Sequence, residues 1–221
     1  MKKWLELLPV AIFAAIALIV VAKLRFTLSH PGAELPRWRG APVWKAPGAM
    51  LVLQEIIYKV KPDVIVETGT YRGGGTLFFA SLLDLEDRGR VISIDITDWQ
   101  PRPVHPRITY LIGSSIDPVI LSKVRDSIPP GSVVVVDLDS NHAKSHVLEE
   151  LRAYSPLVSP ASYLIVEDAT TGKQTWRPEM QRGPGEAVEE FLAENHDYVD
   201  DPSWATRLGD SYGNKYLRRI K

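Results

Sequence analysis

The segment from residue 64 to residue 76 constrains the fold of this chain more than any other. A β-branched apolar run, residues 64–66, leads into Glu67 and then into a loop with glycines at 69, 73, 74 and 75. A short apolar run that follows Pro62-Asp63 and precedes glycines is typical of a strand buried in a parallel sheet. The glycines would let the backbone turn sharply and approach a ligand at the carboxyl end of that strand. The segment therefore predicts a cofactor-binding loop.

The spacing of the loop residues argues against a dinucleotide as the ligand. A dinucleotide fingerprint reads G-x-G-x-x-G and rests the pyrophosphate on a helix N-terminus. Here the loop reads E-x-G-x-x-x-G-G-G, and Glu67 would repel phosphate. The acid favours a cofactor with a cationic or amine-bearing end, and the loop resembles motif I of the class I S-adenosylmethionine-dependent methyltransferases. Taken alone, the loop is also compatible with an ordinary strand-to-helix turn.

Beyond residue 48 the hydrophobic periodicity alternates between that of helices and that of strands. Helices are predicted at residues 49–60, 77–83, 117–128, 142–157 and 186–195. Strands are predicted at residues 64–67, 91–95, 108–112, 133–137 and 163–166, with two more near 198–199 and 215–220. This alternation with short connections predicts an α/β fold whose parallel sheet is covered on both faces.

Composition narrows the class of protein. The 221 residues, of which 45% are hydrophobic, suit one catalytic domain with an extension. The formal net charge of -1 gives no support for a nucleic-acid partner, which normally requires a basic face. The absence of cysteine excludes disulfides, thiolate catalysis and cysteine-based metal sites.

The beginning of the chain departs from this globular composition because residues 7–22 form an apolar run without charge. Flanked by basic residues, the run predicts a transmembrane or membrane-anchor helix, and the basic excess after it favours a cytoplasmic catalytic domain. A cleaved signal peptide and an interfacial helix are the alternatives. The predicted division is an anchor at 1–26, a linker at 27–48 and a methyltransferase domain at 49–221.

The predicted linker cannot sustain a long helix, because it contains four prolines. It also contains Trp38 and Trp44. These side chains either sit at the membrane interface or pack on the domain, and both options stay open at this point.

Polar residues at other predicted strand ends suit a nucleoside. Asp95 ends the second strand, 28 residues after Glu67, and could accept hydrogen bonds from both ribose hydroxyls. Ser114 and Ser115 follow the third strand and suit an adenine edge. Each of these residues is equally compatible with an ordinary loop position.

Carboxylates gather after the fourth and fifth strands, where Asp137, Asp139, Glu167 and Asp168 occur. Neighbouring ends of parallel strands share a crevice, so these groups would repel one another unless a bound cation or raised pKa values neutralised them. Oxygen ligands favour Mg²⁺ or a similar hard cation. Exposed caps and solvated turns are the alternative.

Two histidines lie beside these acids. His142 and His146 are four residues apart and share a helix face within reach of Asp139. His142 suits a general base, because its neutral pKa allows it to deprotonate a hydroxyl acidified by a metal. His146 is predicted to pack or to lie at the surface. The alternative is a non-haem iron site of two histidines and one carboxylate, which would make the protein a hydroxylase.

Several of these motifs resemble the cephalosporin hydroxylase and rhamnosyl O-methyltransferase family, over a region from about Ala49 to the C-terminus. The resemblance rests on Leu138-Asp139-Ser140-Asn141-His142, on residues 147–151, 154–158 and 183–188, on Tyr216-Leu217, and on the run from Ser162 to Asp168. It implies a Rossmann-like sheet that is mostly parallel, with seven strands and an antiparallel last hairpin. It also implies S-adenosylmethionine and Mg²⁺ as cofactors, with Asp139, Glu167 and Asp168 as metal ligands. Ala161 departs from the family pattern, because a glycine is expected in that turn.

The predicted function is Mg²⁺-assisted O-methylation of a small molecule, a sugar or a lipid-linked acceptor, with His142 as base. The residues predicted to bind the methionine end of the cofactor are Glu67, Gly69, Thr70, Tyr71, Gly73 and Gly74. Asp95, Ser114 and Ser115 are predicted to bind the nucleoside, and residues 172–185 to form a substrate lid. An NAD-dependent enzyme and a membrane-tethered binding or scaffold protein are further alternatives. A homo-oligomer is compatible with these residues, which do not determine the oligomeric state.

Overall fold

The computed structural model describes residues 35–169, 183–207 and 213–221. Its strands are β1 (Arg37–Trp38), β2 (Ala41–Pro42), β3 (Val64–Thr68), β4 (Arg90–Asp95), β5 (Ile108–Ile112), β6 (Val134–Leu138), β7 (Tyr163–Val166), β8 (Tyr198–Asp200) and β9 (Lys215–Arg219). Its α-helices are α1 (Pro47–Val60), α2 (Gly74–Leu85), α3 (Pro118–Asp126), α4 (Lys144–Tyr154), α5 (Pro184–Glu194) and α6 (Pro202–Arg207). A single 3₁₀ turn, Ser155–Leu157, follows α4.

The helix ends follow from local sequence signals. Pro47 opens α1, where its missing N–H costs nothing, and the left-handed Lys61 closes it by donating its backbone N–H to Ile57. Asp117 caps α3, because its carboxylate accepts a 2.7 Å hydrogen bond from the backbone N–H of Val119. These boundaries orient the strands that follow each helix.

The main sheet confirms the predicted architecture. Its seven strands lie in the order β5-β4-β3-β6-β7-β9-β8, and the first five are parallel. Strand β9 runs antiparallel to both β7 and β8, which makes the last hairpin antiparallel as predicted. Because β4 and β6 flank β3 on opposite sides, the strand order reverses at β3. Ligands of open α/β sheets bind at such a reversal, outside the carboxyl ends of the strands.

The core has two layers, one on each face of the sheet. Alternate residues of β3 point to opposite faces, so that Val64 and Val66 pack with α3, α4 and α5. Ile65 packs on the other face with α1 and α2. Burial on both faces explains why this strand reads as a continuous apolar run.

The β1–β2 hairpin belongs to the compact unit of the protein, which runs from Pro36 to Lys221. Its two loop residues, Arg39 and Gly40, have φ angles of +48° and +89°, as in the tight hairpin turn that matches strand twist. Trp38 packs on the domain, with its ring 5.0 Å from that of Phe78 in an edge-to-face arrangement. The residues of the predicted linker from position 36 onwards therefore form part of this unit.

The turn before β7 contains the departure noted in the sequence. Ala161 has a φ angle of +64°, in the left-handed region where glycine is favoured. Its backbone N–H donates a 2.9 Å hydrogen bond to the carbonyl of Arg219 in β9. The turn thus keeps the geometry that a glycine would take, in spite of the added Cβ.

The prediction of a membrane-anchored location is corrected. No helix among the described residues is long and apolar enough to cross a membrane. The longest of them, α1, has 14 residues and spans about 21 Å, whereas a hydrocarbon core is roughly 30 Å thick. The predicted anchor at residues 1–26 lies outside the described residues, as do residues 170–182, which include most of the predicted lid.

Candidate functional site

A cavity of about 410 Å³ lies at the carboxyl ends of β3, β4, β5 and β6. Its volume falls within the range of small-molecule sites, roughly 300 to 1,000 Å³. Five of the residues predicted for the cofactor line it, namely Gly69, Tyr71, Asp95, Ser114 and Ser115. Asp139, His142 and Asp168 line the same cavity. The fold therefore brings five of the nine predicted cofactor residues and two of the three predicted metal ligands to one place.

Backbone contacts between neighbouring loops hold the cavity wall. Gly69 donates its N–H to Ile94 in β4, and Asp139 donates its N–H to Thr68 in β3. Gly69 has a φ angle of +88°, and a Cβ added there would lie 1.9 Å from the carbonyl oxygen of Asp139. The loop after β6 passes so close that position 69 requires a glycine. This requirement is additional to any need for a ligand to approach the backbone.

Asp95 is fixed at the cavity wall by two backbone donors. Its Oδ2 accepts a 2.8 Å hydrogen bond from the N–H of Tyr71, and its Oδ1 accepts a 2.8 Å hydrogen bond from the N–H of Thr97. A carboxylate has about four acceptor positions, so capacity remains for ribose hydroxyls. The nucleoside contact of Asp95 stays a prediction.

Glu67 lies beneath the loop and does not line the cavity, and neither do Thr70, Gly73 and Gly74. Its side chain is buried, and its Oε2 accepts hydrogen bonds of 2.5 Å from Thr76 and 2.6 Å from Ser93. Burial raises the pKa of Glu67 to about 7, although Lys45 and the two hydroxyls oppose the rise. Any effect of Glu67 on a cofactor would act through the loop that it supports.

Lys45 is the main functional candidate that sequence reasoning missed. It lies between β2 and α1, and its side chain is only 3% exposed. Its Nζ lies 3.1 Å from Asp137 Oδ2, 3.0 Å from Asp139 Oδ2 and 2.5 Å from Glu167 Oε1. The carboxylate cluster was expected to need a bound cation or raised pKa values, and the chain supplies a cation from the predicted linker. The only signal in the sequence was a single lysine within an apolar stretch, which is a weak one.

One ammonium group faces three carboxyl groups, so the charges of this inner cluster would not balance if all three were ionised. Burial and the negative charge of Asp139 raise the pKa of Glu167 well above its ordinary value, against the effect of Lys45. Burial alone would lower the pKa of Lys45, but its three carboxylate partners raise it well above the ordinary value. Lys45 therefore stays charged. Burial also raises the pKa of Asp137. Burial would raise the pKa of Asp139 as well, but Lys45 lowers it below its ordinary value, so the lasting negative charge lies on Asp139, which is available to a second cation.

A group suited to such a cation lies on the exposed side of Asp139. Asp139, His142 and Asp168 each offer one ligand atom, and these atoms lie within 4.8 Å of one another. The Nε2 of His142 is 3.7 Å from Asp139 Oδ1, and its Nδ1 is 3.6 Å from Asp168 Oδ2. The Asp139 carboxylate raises the pKa of His142 above its ordinary value, while burial opposes the rise. Hard oxygen donors with an open side fit Mg²⁺.

The predicted metal ligands are thus divided between two neighbouring positions. Asp139 and Asp168 belong to the outer group, whereas Glu167 turns its Oε1 to Lys45. Asp139 connects the two, because its Oδ2 contacts Lys45 and its Oδ1 faces His142.

His146 also lines the cavity, although it was predicted to pack or to lie at the surface. Its Nε2 is 3.1 Å from Ser115 Oγ and 3.3 Å from Ser140 Oγ. The buried carboxylate of Glu150 lies 3.7 Å away and accepts a 2.7 Å hydrogen bond from Ser140. This network connects α4 to the end of the cavity predicted for the nucleoside.

Three aromatic rings form one rim of the cavity. Tyr71 packs edge to face between Trp44 and Trp99, at ring distances of 5.9 Å and 5.3 Å. Trp44 is 63% exposed even though it contacts Tyr71. This half-open rim is suited to the flat or apolar face of a ligand.

Comparisons with known proteins identify the family of the chain. The family model described as Rhamnosyl O-methyltransferase/CmcI matches residues 33–220. The chain is 31% identical over 189 residues to the rhamnosyl O-methyltransferase of Mycobacterium leprae, covering 82% of each protein. It is 30% identical over 190 residues to the rhamnosyl O-methyltransferase of Mycobacterium tuberculosis, covering 82% of this chain and 77% of that protein.

Solved structures share the fold. The Mg-SAM form of CmcI superposes with a TM-score of 0.63 at 21% identity, covering 84% of this chain and 77% of that chain. The MycE methyltransferase in complex with Mg, SAH and mycinamycin VI gives a TM-score of 0.59 at 17% identity, covering 78% and 49% of the two chains. The family match spans most of the sequence and agrees with the predicted resemblance, so the chain belongs to the rhamnosyl O-methyltransferase/CmcI family of methyltransferases.

Proposed function

We propose that this chain is an S-adenosylmethionine-dependent, Mg²⁺-assisted O-methyltransferase that acts on a hydroxyl of a sugar or another small molecule. The observation that carries this proposal is one cavity bordered both by five of the predicted cofactor residues and by Asp139, His142 and Asp168. Support comes from the family, whose curated relatives are named rhamnosyl O-methyltransferases, and from the CmcI structure described with Mg and SAM.

The cofactor would lie along the loops that follow β3, β4 and β5. Asp95 would accept hydrogen bonds from the ribose, and Ser114 and Ser115 would contact the adenine. Gly69 and Tyr71 would lie beside the methionine end. Glu67, Thr70, Gly73 and Gly74 would act by holding this loop in place, since they do not line the cavity.

The reacting groups would meet at the outer acid–histidine group. Asp139 and Asp168 would hold the metal, with Glu167 as a further ligand whose Oε1 is shared with Lys45. When bound, S-adenosylmethionine supplies the methyl group and Mg²⁺ supplies Lewis acidity that lowers the pKa of an acceptor hydroxyl. His142 would accept the hydroxyl proton, and the two flanking carboxylates would orient its ring and stabilise the imidazolium form.

The acceptor is proposed from the relatives and from the rim of the cavity. Curated relatives are named for rhamnose, and one MycE structure contains mycinamycin VI. Trp44 offers an exposed ring at the edge of the same cavity. A sugar ring has apolar C–H faces that pack on such an aromatic surface.

The arrangement of the histidines disfavours the iron-hydroxylase alternative. Within the described residues, the metal-competent group contains one histidine, His142, and two carboxylates. His146 instead contacts Ser115, Ser140 and Glu150. A site of two histidines and one carboxylate is therefore not assembled among these residues.

The test is a titration of S-adenosylhomocysteine into the full-length protein by calorimetry, with Mg²⁺ and with chelator. Saturable binding is expected in both conditions. A labelled methyl group should then pass from S-adenosylmethionine to a hydroxyl in a panel of rhamnosides and other sugars, and chelator should suppress this transfer. Folded protein that gives no heat in either condition would refute the proposal, and turnover that requires iron and 2-oxoglutarate would favour a hydroxylase.

A further inference from the structure

A second depression, of about 340 Å³, lies outside the cavity and is bordered by four arginines. We name it the arginine groove, and its charged residues are Arg37, Arg39, Arg72 and Arg102. Arginines repel one another, so four of them around one small depression require an explanation. The proposed methyl transfer does not use any of them.

The groove is built from packed backbone. A Cβ added to Gly74 would lie 2.0 Å from the carbonyl oxygen of Pro42, so the β1–β2 hairpin packs directly on the start of α2. A Cβ added to Gly73 would lie 2.7 Å from Pro103. The segment 101–103, which carries Arg102, therefore packs against the loop that carries Arg72. The guanidinium groups are therefore carried by three segments that pack on one another.

The arginines of the groove contact neighbouring groups. Arg37 donates a 3.0 Å hydrogen bond from Nη1 to the carbonyl of Gly40. Arg102 pairs with Asp98 at 2.9 Å and lies over the ring of Tyr110, at 4.1 Å from its centre. Arg72 lies 5.9 Å from the centre of the Tyr71 ring. No aspartate or glutamate of the described part of the chain lines the groove. Because the whole chain carries a formal charge of only -1, this positive charge is local to the groove.

We propose that the arginine groove binds the phosphate group of a small phosphorylated ligand. The planar fork of a guanidinium group bonds two phosphate oxygens at once, and several forks around a small concave site suit a dianion. A nucleic acid fits less well, since the groove is small and the net charge of the chain is slightly negative.

The groove adjoins the methyl-transfer cavity through two loops. Tyr71 lines the cavity and the next residue, Arg72, lines the groove, while Trp99 lines the cavity and Pro101 lines the groove. A phosphate held here would either belong to the acceptor or to a separate ligand that steadies both loops. Assigning the phosphate to the acceptor rests on the proposed function, whereas phosphate binding itself does not.

The experiment is a calorimetric titration of the full-length protein at constant ionic strength. Ionic strength is held constant because added salt screens the repulsion among the arginines even without specific binding. The probes are inorganic phosphate, glucose 1-phosphate and glucose. Tighter binding of glucose 1-phosphate than of both other probes would assign the phosphate to an acceptor-like sugar. Equal binding of both phosphates without binding of glucose would assign it to a separate phosphate ligand.

The matched variants are Arg39→Met with Arg72→Met in one protein and Arg125→Met in another. Arg125 is exposed on α3, away from the groove. The double variant should bind phosphate at least about tenfold more weakly, since charged hydrogen bonds are lost, and Arg125→Met should bind as the unmodified protein does. Arg72→Lys keeps the charge without the fork and should give an intermediate affinity.

Unchanged phosphate affinity in the double variant, or no saturable binding by the unmodified protein, would overturn the proposal. Binding of S-adenosylhomocysteine in the same samples reports folding and the cofactor site separately. A protein that binds phosphate but not S-adenosylhomocysteine would refute the proposed function while leaving the arginine groove intact.

Discussion

The Nζ of Lys45 lies 2.5 Å from Oε1 of Glu167, a residue 122 positions further along the chain. This contact connects the segment before α1 to the carboxyl end of β7. It places a permanent cation inside a cluster of strand-end carboxylates that would otherwise repel one another. The remaining negative charge faces the cavity through Asp139, where the proposed metal would bind.

Replacing Lys45 by methionine should destabilise the protein strongly. Asp137 and Glu167 would remain buried, and Asp139 partly buried, without their cation. Breaking a buried ion pair in this way costs about 3–5 kcal/mol. Urea unfolding in the presence of chelator would measure this loss. Lys123→Met removes the same charge from an exposed site on α3 and should change the free energy of unfolding by less than about 0.5 kcal/mol. Equally small losses in both variants would contradict the neutralising role of Lys45.

Removing the carboxylate of Glu67 should alter how stability depends on pH. The pKa of Glu67 is about 7 in the folded protein, above the ordinary 4.5. The folded state therefore keeps a proton that the unfolded chain has released, so the stability contributed by Glu67 is complete below about pH 4.5 and declines up to about pH 7. Across this pH interval the free energy of unfolding of the unmodified protein should fall by about 3 kcal/mol relative to that of Glu67→Gln.

Urea unfolding at several pH values would measure this difference. Glu149→Gln, at an exposed position of α4, is the matched control. Its stability should change with pH in the same way as that of the unmodified protein. If the stability of Glu67→Gln also changed with pH as that of the unmodified protein does, the raised pKa of Glu67 would be wrong.

His142→Ala should separate chemistry from cofactor binding. Loss of a general base lowers turnover by about 10²-fold to 10⁴-fold, while the dissociation constant of S-adenosylhomocysteine should stay unchanged. Methyl transfer at saturating acceptor and calorimetry would measure the two quantities. His196→Ala, at an exposed position, should leave both unchanged. Full turnover by His142→Ala would exclude the base role.

Asp168→Asn should weaken Mg²⁺ binding. Asp168 has a φ angle of +55°, a conformation that asparagine also tolerates. We expect the Mg²⁺ dissociation constant to rise by about 100-fold, since even supporting residues of metal sites contribute 10-fold to 100-fold.

Calorimetry with Mg²⁺ would measure this rise. Asp87→Asn is a close control, because Asp87 is fully exposed and has a φ angle of +47°. An equal Mg²⁺ affinity in both variants would show that Asp168 is not a ligand.

The elements that the sequence predicted best are those defined by neighbouring residues. The strands at 108–112 and 163–166 have the predicted bounds, because β-branched and aromatic runs between turn residues are a local signal. Helix α2 begins at Gly74, three residues earlier than predicted. Gly74 packs against Pro42, and the local sequence pattern does not reveal a contact between such distant parts of the chain. Helix α4 ends at Tyr154, where Pro156 forces a 3₁₀ turn.

The sequence by itself determined the alternating helices and strands of the parallel sheet and the strand ends that carry Asp95, Asp139 and Asp168, because hydrophobic periodicity is a local property of the chain. The antiparallel last hairpin was implied by the family resemblance and not by periodicity. Only the tertiary structure decided which cation neutralises the buried acids and which predicted residues reach the cavity. Lys45 meets Glu167, and His146 meets Ser115, through packing of segments far apart in the sequence. Such pairing depends on burial and distance, which no local pattern encodes.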